Sequence, residues 1–145
     1  MRMALLAAVL VVAPAAHAQE KEVLRVPGAV PGLPFSPAIR VGDVIYLSGH
    51  IGAPLGSKAL VPGGVRAETR QALSNIRTIL ETAGSSLDRV FKCTVFLVDM
   101  RDYDAMNEEY AGVFPLDPPV RSTVAGSGLA LGARVEIECM AAAGR

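Results

Sequence analysis

The chain has 145 residues, a formal net charge of zero and a sequence pI near 6.7. This length is sufficient for one domain with a sizeable core. The balanced charge, and the lack of a basic cluster interleaved with aromatic residues, argue against a nucleic-acid partner.

The first 18 residues are predicted to be a secretory signal peptide. Arg2 provides a short positive region, Met3 to Ala13 provide an apolar stretch, and Ala16-His17-Ala18 fits the small-x-small cleavage pattern. An uncleaved membrane anchor would need about twenty apolar residues. We therefore expect cleavage before Gln19, a mature domain of residues 19–145, a periplasmic or secreted location, and no membrane association after cleavage.

The first part of the mature chain has the pattern of β-structure. A short strand is predicted at Val23–Val26, and a hairpin is predicted from Ala38–Val41 and Val44–Ser48, joined by a turn at Gly42-Asp43. The segment from Gly52 to Gly64 is rich in glycine and proline, which predicts a long loop.

Two helices and a strand are predicted in the middle of the chain. The clearest helix covers Val65–Ala83, because its apolar residues recur at helical spacing, and Gly84 is suited to end it. These apolar residues are Ala72, Leu73, Ile76, Ile79, Leu80 and Ala83. A strand follows at Phe91–Val98, and a second helix is predicted at Tyr103–Val113 with Asp102 as its N-cap.

The last two strands are predicted at Val120–Ala125 and Arg134–Ala142. The resulting order predicts an α+β fold in which two helices cover one face of a six-stranded mixed sheet. Glu136 and Glu138 share one face of the final strand, and the apolar residues share the other. Together with Phe96, these glutamates would give the uncovered face a mixed character that is poorly suited to bulk water. We therefore expect self-association through this face, with sites formed between subunits.

The cysteines and histidines bear on metal binding. Cys93 and Cys139 both fall on the apolar phase of predicted strands, which favours buried free thiols, although export would permit a disulfide. Loss of the leader removes His17 and leaves His50 as the only histidine. Because no cysteine spacing resembles a zinc site, we expect no metal and no cofactor.

Three polar side chains are the strongest candidates for a site. Arg121 follows two prolines, and its rigid guanidinium suits a bidentate contact with a small carboxylate; the alternative is a structural ion pair. Glu136 could order or deprotonate a water molecule, unless it is only a solvated strand residue. Asn107 lies on the apolar stripe of the second predicted helix and needs a partner, either in a site or in the backbone of the core.

The chain resembles the RidA/YjgF family of reactive-intermediate (enamine/imine) deaminases from about Leu33 to Ala142. Several motifs in the right order carry this resemblance, which makes it more specific than any single motif. They are Pro-Phe-Ser-Pro-Ala-Ile-Arg-Val-Gly-Asp (34–43), Tyr-Leu-Ser-Gly-His-Ile (46–51), Glu-Thr-Arg-Gln-Ala-Leu-Ser-Asn-Ile (68–76), Lys-Cys-Thr-Val-Phe-Leu-Val-Asp-Met (92–100), Met-Asn-Glu-Glu-Tyr (106–110), Pro-Pro-Val-Arg-Ser-Thr (118–123) and Val-Glu-Ile-Glu (135–138).

The resemblance implies a chorismate-mutase-like subunit that forms a homotrimer with clefts between subunits. It implies that Arg121 is the catalytic arginine and Glu136 the water-activating glutamate. The residues that would line the substrate-binding cleft are Phe35, Ser48, Gly49, Asn107 and Thr123. Phe35 departs from the family pattern, because typical deaminases carry a tyrosine there, and the change removes a hydroxyl group.

The implied reaction is the hydrolysis of a small carboxylate-bearing imine or enamine to a 2-oxo acid and ammonia without a metal or cofactor. A second hypothesis is a non-catalytic trimeric module that binds small ligands in the same clefts, which Phe35 and the leader favour. A ribonuclease, an activity attached to some relatives, is disfavoured by the neutral charge and the single mature histidine.

Overall fold

The computed structural model describes residues 19–144, so the predicted signal peptide at residues 1–18 lies outside the described residues. Two helices and one sheet make up the described chain. In chain order they are β1 (Lys21–Leu24), β2 (Ala38–Val41), β3 (Val44–Leu47), β4 (His50–Ile51), α1 (Gly64–Thr82), β5 (Val90–Leu97), α2 (Tyr103–Val113), β6 (Val120–Ala125) and β7 (Val135–Ala142). The predicted elements are confirmed, with end shifts of one or two residues.

The sheet is mixed and has the order β1-β2-β3-β7-β5-β6. β5 and β6 run parallel, and all the other pairs are antiparallel. The prediction of six strands was one short, because the two-residue strand β4 pairs with β7 beyond the end of β3. Two residues are too few to produce a detectable alternation of polar and apolar side chains.

Both helices lie on one face of the sheet, as predicted. The apolar stripe of α1 is buried at Ala72, Leu73 and Ile76, and α1 packs against β7, β4 and α2. Gly84 follows α1 with a positive φ of 73°, a conformation that a glycine adopts without steric cost. None of the helices within residues 19–144 is long and apolar enough to cross a membrane.

Asp102 precedes α2 but makes no side-chain capping hydrogen bond, so its predicted capping role is wrong. Its carboxylate instead accepts hydrogen bonds from Arg134, at 2.9 Å from Nε and 2.7 Å from Nη2. Two charge-assisted bonds to a guanidinium are stronger than one bond to a backbone amide. The start of α2 is thereby tied to the start of β7.

The two cysteines form a disulfide, so the expectation of free thiols was wrong. Cys93 on β5 lies directly opposite Cys139 on β7, with their Cα atoms 4.1 Å apart. Directly opposed antiparallel residues bring their Cβ atoms close enough for a bond. The sequence pattern placed both residues correctly on the buried phase, but it could not show that β5 and β7 are neighbours in this register.

The second face of the sheet carries no helix, and we call it the open face. It combines charged residues with apolar ones in alternating positions of β3, β5, β6 and β7. Its members include Tyr46, Lys92, Thr94, Phe96, Val120, Val124, Glu136, Glu138 and Met140. Val120 and Val124 are among the most exposed apolar residues of the described chain.

Candidate functional site

Arg121 is on the edge strand β6 and points toward the helix-covered side. It is in register with Cys93 on β5, whose side chain is buried beneath the helices. From there its Nη2 atom donates a hydrogen bond to Asn107 Oδ1 on α2 at 2.5 Å. The structure therefore joins two predicted site residues, and Asn107 finds its partner in Arg121 and not in the backbone.

Three further side chains of α2 surround the Arg121 guanidinium. Its central carbon lies 4.6 Å from the centre of the Tyr110 ring and 5.8 Å from the centre of the Tyr103 ring, both within cation–π range. Its Nη1 atom lies 3.9 Å from Met106 Sδ, a weak acceptor. No carboxylate lies within ion-pair distance of this guanidinium among the described residues. The cation is therefore held in place but not neutralised, which suits an anionic ligand.

The two tyrosines beside Arg121 have different environments. Burial raises the pKa of Tyr110 to about 12, against the opposing effect of the Arg121 charge. Hydrogen bonding to Asn107 and then to Arg121 lowers the pKa of Tyr103 below its usual value. Thr123, two residues beyond Arg121 on the same face of β6, has a buried hydroxyl oxygen without a protein partner.

Glu136 is on the open face of β7, against the turn that follows β3. A Cβ atom added at Gly49 would lie only 1.8 Å from Glu136 Oε1, so only glycine allows the carboxylate to occupy this place. Burial, and then the charge of Glu138, raise the pKa of Glu136. A carboxylate with a raised pKa is a stronger base than an ordinary glutamate.

Ser48 and Phe35 lie near the same turn but differ in what they can offer a ligand. The Ser48 hydroxyl donates to the Ser36 carbonyl at 2.6 Å, and the Ser48 amide donates to the Pro37 carbonyl at 3.0 Å. Ser48 thus supports the backbone beside Gly49. Phe35 is 58% exposed, which is unusual for a phenyl ring in a folded chain.

One chain does not bring Arg121 and Glu136 together. β5 separates β6 from β7, and Glu136 is in register with Phe96, on the face opposite to Cys93 and Arg121. The candidate residues therefore form two groups. The helix-side group is Arg121, Asn107 and Thr123; the open-face group is Glu136 with Gly49 against it, and Ser48 and Phe35 belong to the chain beside this glycine.

His50 is the histidine of β4, and it is largely buried. Burial lowers its pKa to about 4, with a partial opposing effect from a backbone hydrogen bond at Pro37. It is therefore neutral at physiological pH and poorly placed for acid–base chemistry. Within residues 19–144, no three His, Cys, Asp or Glu side chains come together in a way that could hold a metal ion.

Sequence reasoning missed part of the Arg121 environment. Tyr103, Met106 and Tyr110 form the apolar stripe of the second predicted helix, and core packing alone accounts for such a stripe, so they were not assigned to a site. Asn107 could have indicated that these residues belong to a site, because a polar residue within an apolar stripe implies that the stripe contacts a polar group.

The site and fold together define a small α+β subunit with an unneutralised arginine and a separate basic carboxylate. The chain matches the family described as Endoribonuclease L-PSP over residues 28–143, and it belongs to this family, also known as the RidA/YjgF family.

Named relatives and solved structures agree with this assignment. The chain is 43% identical over 111 residues to the mouse 2-iminobutanoate/2-iminopropanoate deaminase, covering 77% of this chain and 82% of that protein. The crystal structure of yeast Mmf1 superposes with a TM-score of 0.80 at 30% identity, covering 86% and 99% of the two chains. The structure of E. coli TdcF with bound serine gives a TM-score of 0.77 at 27% identity, covering 83% and 98%.

Proposed function

We propose that this protein is a homotrimeric deaminase that hydrolyses 2-imino acids, and enamines after their tautomerisation, to 2-oxo acids and ammonia. The observation that carries the proposal is the pair of half-sites on opposite faces of one sheet. One half holds an unneutralised arginine for a carboxylate, and the other holds a partly buried glutamate with a raised pKa for water. The naming of the mouse relative as an imine deaminase supports this choice of substrate.

The half-sites would meet across a boundary between two copies of the chain. Because β6 is an edge strand, Arg121 lies close to the rim of the subunit. A neighbour that covers the open face would bring its rim against Glu136 and Gly49. Closed rings of identical subunits repeat one such contact, and three copies would give three equivalent clefts.

In this mechanism the Arg121 guanidinium binds the substrate carboxylate through charge-assisted hydrogen bonds. Glu136 accepts a proton from a water molecule as the water oxygen bonds to the imine carbon and the C=N π electrons move onto the nitrogen. Glu136 returns this proton to the nitrogen to give the carbinolamine. Transfer of the carbinolamine hydroxyl proton to the nitrogen then breaks the C–N bond, which releases ammonia and leaves the 2-oxo acid. Positioning of water and substrate supplies the rate enhancement, and Gly49 allows Glu136 to reach its place.

We also propose that the protein is exported after cleavage before Gln19. The composition of residues 1–18 supports this. The Cys93–Cys139 disulfide adds support, because disulfides persist in oxidising compartments and are rare in the cytosol. Mass spectrometry of the protein from a fractionated host would test export. A mature chain that begins at Gln19 in the periplasm or medium is expected, and an intact cytosolic chain would refute it.

The deaminase activity is tested by generating 2-iminobutanoate in situ with an amino-acid oxidase and trapping the remainder with semicarbazide. The wild type should lower the semicarbazone yield. Arg121→Ala should lose roughly 2–4 kcal/mol of transition-state stabilisation, because a charge-assisted clamp is removed. Arg121→Lys should rescue little, since lysine lacks the planar fork.

The same experiment separates the deaminase from a non-catalytic module that binds small ligands. The exposed phenyl ring of Phe35, which offers no hydroxyl to water or substrate, is the observation that favours the module. If several imines leave the semicarbazone yield unchanged while 2-oxo acids still bind, the protein is a binding module. A ribonuclease role finds no support in the buried, neutral His50.

A further inference from the structure

Arg121 has two tyrosine neighbours on α2, and only one of them presents its hydroxyl to a ligand. The ring of Tyr110 is 5% exposed, and its hydroxyl is buried without a partner. Tyr103 begins α2 and is partly exposed, with its hydroxyl oxygen 3.5 Å from Arg121 Nη2. The two tyrosines thus differ: Tyr110 packs its ring against the guanidinium, and Tyr103 places a hydroxyl group beside it.

The hydrogen bonds of Arg121 determine where an anion could bind. Nη2 donates a hydrogen bond to Asn107 Oδ1 at 2.5 Å and lies 3.5 Å from the Tyr103 hydroxyl oxygen. Nη1 has only the weak sulfur acceptor of Met106, and none of the described residues accepts from Nε. Nη1 and Nε are therefore the donors left for a carboxylate, and each adjoins Nη2, beside which the Tyr103 hydroxyl lies.

The Tyr103 hydroxyl is able to donate to that carboxylate. In its contact with Arg121 the tyrosine oxygen is the acceptor, so its own proton remains available. The contact is also long at 3.5 Å, so it restrains the hydroxyl only weakly. Hydrogen bonding from Asn107 and then from Arg121 lowers the pKa of Tyr103, which is consistent with a phenol oxygen that accepts from both and keeps its own proton for a ligand.

We infer that Tyr103 is a substrate-contacting residue whose hydroxyl donates a hydrogen bond to the carboxylate held by Arg121. This inference rests on the proposed function, because it assigns a contact within that same site. The carboxylate end of the ligand would then be held by the Arg121 guanidinium on β6 and the Tyr103 hydroxyl on α2. Ligands without an anionic group would lose both contacts.

The test compares Tyr103→Phe with the wild type, using 2-oxobutanoate as a stable probe of the product class. Its Kd is measured by calorimetry, and KM and kcat are measured for 2-iminobutanoate generated in situ. Phenylalanine keeps the ring over Arg121, and an unchanged Tm would confirm that folding is intact. Ser74→Ala on the exposed side of α1 is the control, because it removes a hydroxyl that lies neither beside Arg121 nor on the open face.

Loss of a hydrogen bond to a charged group should raise the Kd and KM by roughly tenfold, with kcat within about threefold of wild type. Ser74→Ala should leave the three quantities within about twofold. If Tyr103→Phe binds 2-oxobutanoate and hydrolyses the imine as well as an active wild type does, the inference about Tyr103 is overturned and the proposed function stands. If the wild type neither binds 2-oxobutanoate nor hydrolyses the imine, the proposed function falls together with it.

Discussion

At the scale of single residues, the bond between Asn107 and Arg121 determines how the cation is presented. Replacing Asn107 by Asp would set a carboxylate against the guanidinium and neutralise it. We expect Asn107→Asp to weaken 2-oxobutanoate binding by roughly 2 kcal/mol or more, since an internal anion would compete with the ligand. Asn107→Ala, which removes the anchor without adding charge, should cost less. Calorimetry on both variants measures the loss of binding free energy for 2-oxobutanoate. Equal losses would contradict the explanation that the added carboxylate competes with the ligand for Arg121.

The pKa of Glu136 predicts how activity depends on pH. A general base must be deprotonated, so activity falls as the pH drops through its pKa. Burial and the Glu138 charge raise that pKa above the ordinary value of 4.5, so the acidic limb of kcat/KM should lie above pH 4.5. Glu138→Gln removes the like charge and should move this limb to lower pH.

The control for the pH experiment is Glu81→Gln, which removes an exposed carboxylate from α1. Its profile should superpose on that of the wild type. An acidic limb that stays in place in Glu138→Gln would show that Glu136 does not titrate as the base.

Sequence alone reached a large part of the site at this scale. Arg121 was identified because a rigid guanidinium after two prolines suits a carboxylate, and Glu136 because a strand carboxylate can order or deprotonate water. Asn107 was identified because a polar residue on an apolar stripe requires a partner. Tyr103 and Tyr110 were not, because an aromatic residue at helical spacing is fully explained by core packing. Their second contact, with a cation from β6, depends on how α2 lies over the sheet edge, and local periodicity carries no such information.

At the scale of elements, the Cys93–Cys139 bond connects two central strands across a sequence separation of 46. Such a cross-link restricts the unfolded chain, and its loss should lower the free energy of unfolding by about 2–4 kcal/mol. Chemical denaturation with and without dithiothreitol, at one protein concentration, measures this for the wild type. The double variant Cys93→Ala/Cys139→Ala should be less stable and insensitive to the reductant. If full reduction of the disulfide leaves the denaturation midpoint of the wild type unchanged, the prediction is contradicted.

Elements with a long hydrophobic period were the ones that sequence predicted well. The repeat over α1 extends for several turns, and the bounds of α2 were predicted without error. The pairings within the sheet were harder to predict, since β4 is too short to show a pattern and β7 pairs with three strands that precede it at a distance in the chain, β3, β4 and β5. Register between distant strands depends on packing of the whole sheet, and the disulfide was missed for that reason.

At the scale of the whole molecule, the open face is where self-association should occur. Val124 is 47% exposed on this face, next to the sheet edge. Val124→Asp would place a charge in the proposed contact, and burial of an unpaired charge costs several kcal/mol. Light scattering should show a shift from trimer toward single chains. Ser74→Asp on the exposed side of α1 adds the same charge and should leave the mass unchanged; a trimeric Val124→Asp would contradict this location.

Because the two half-sites lie on opposite faces of one sheet, two different inactive variants should restore activity when they assemble into the same trimer. Arg121→Ala retains an intact Glu136, and Glu136→Gln retains an intact Arg121, so each chain lacks a different half. If the two inactive proteins are unfolded together and refolded as mixed trimers, about one cleft in four would combine both intact halves by chance. Activity should then reappear at roughly a quarter of the wild-type level, although each variant is inactive when it forms a trimer with itself.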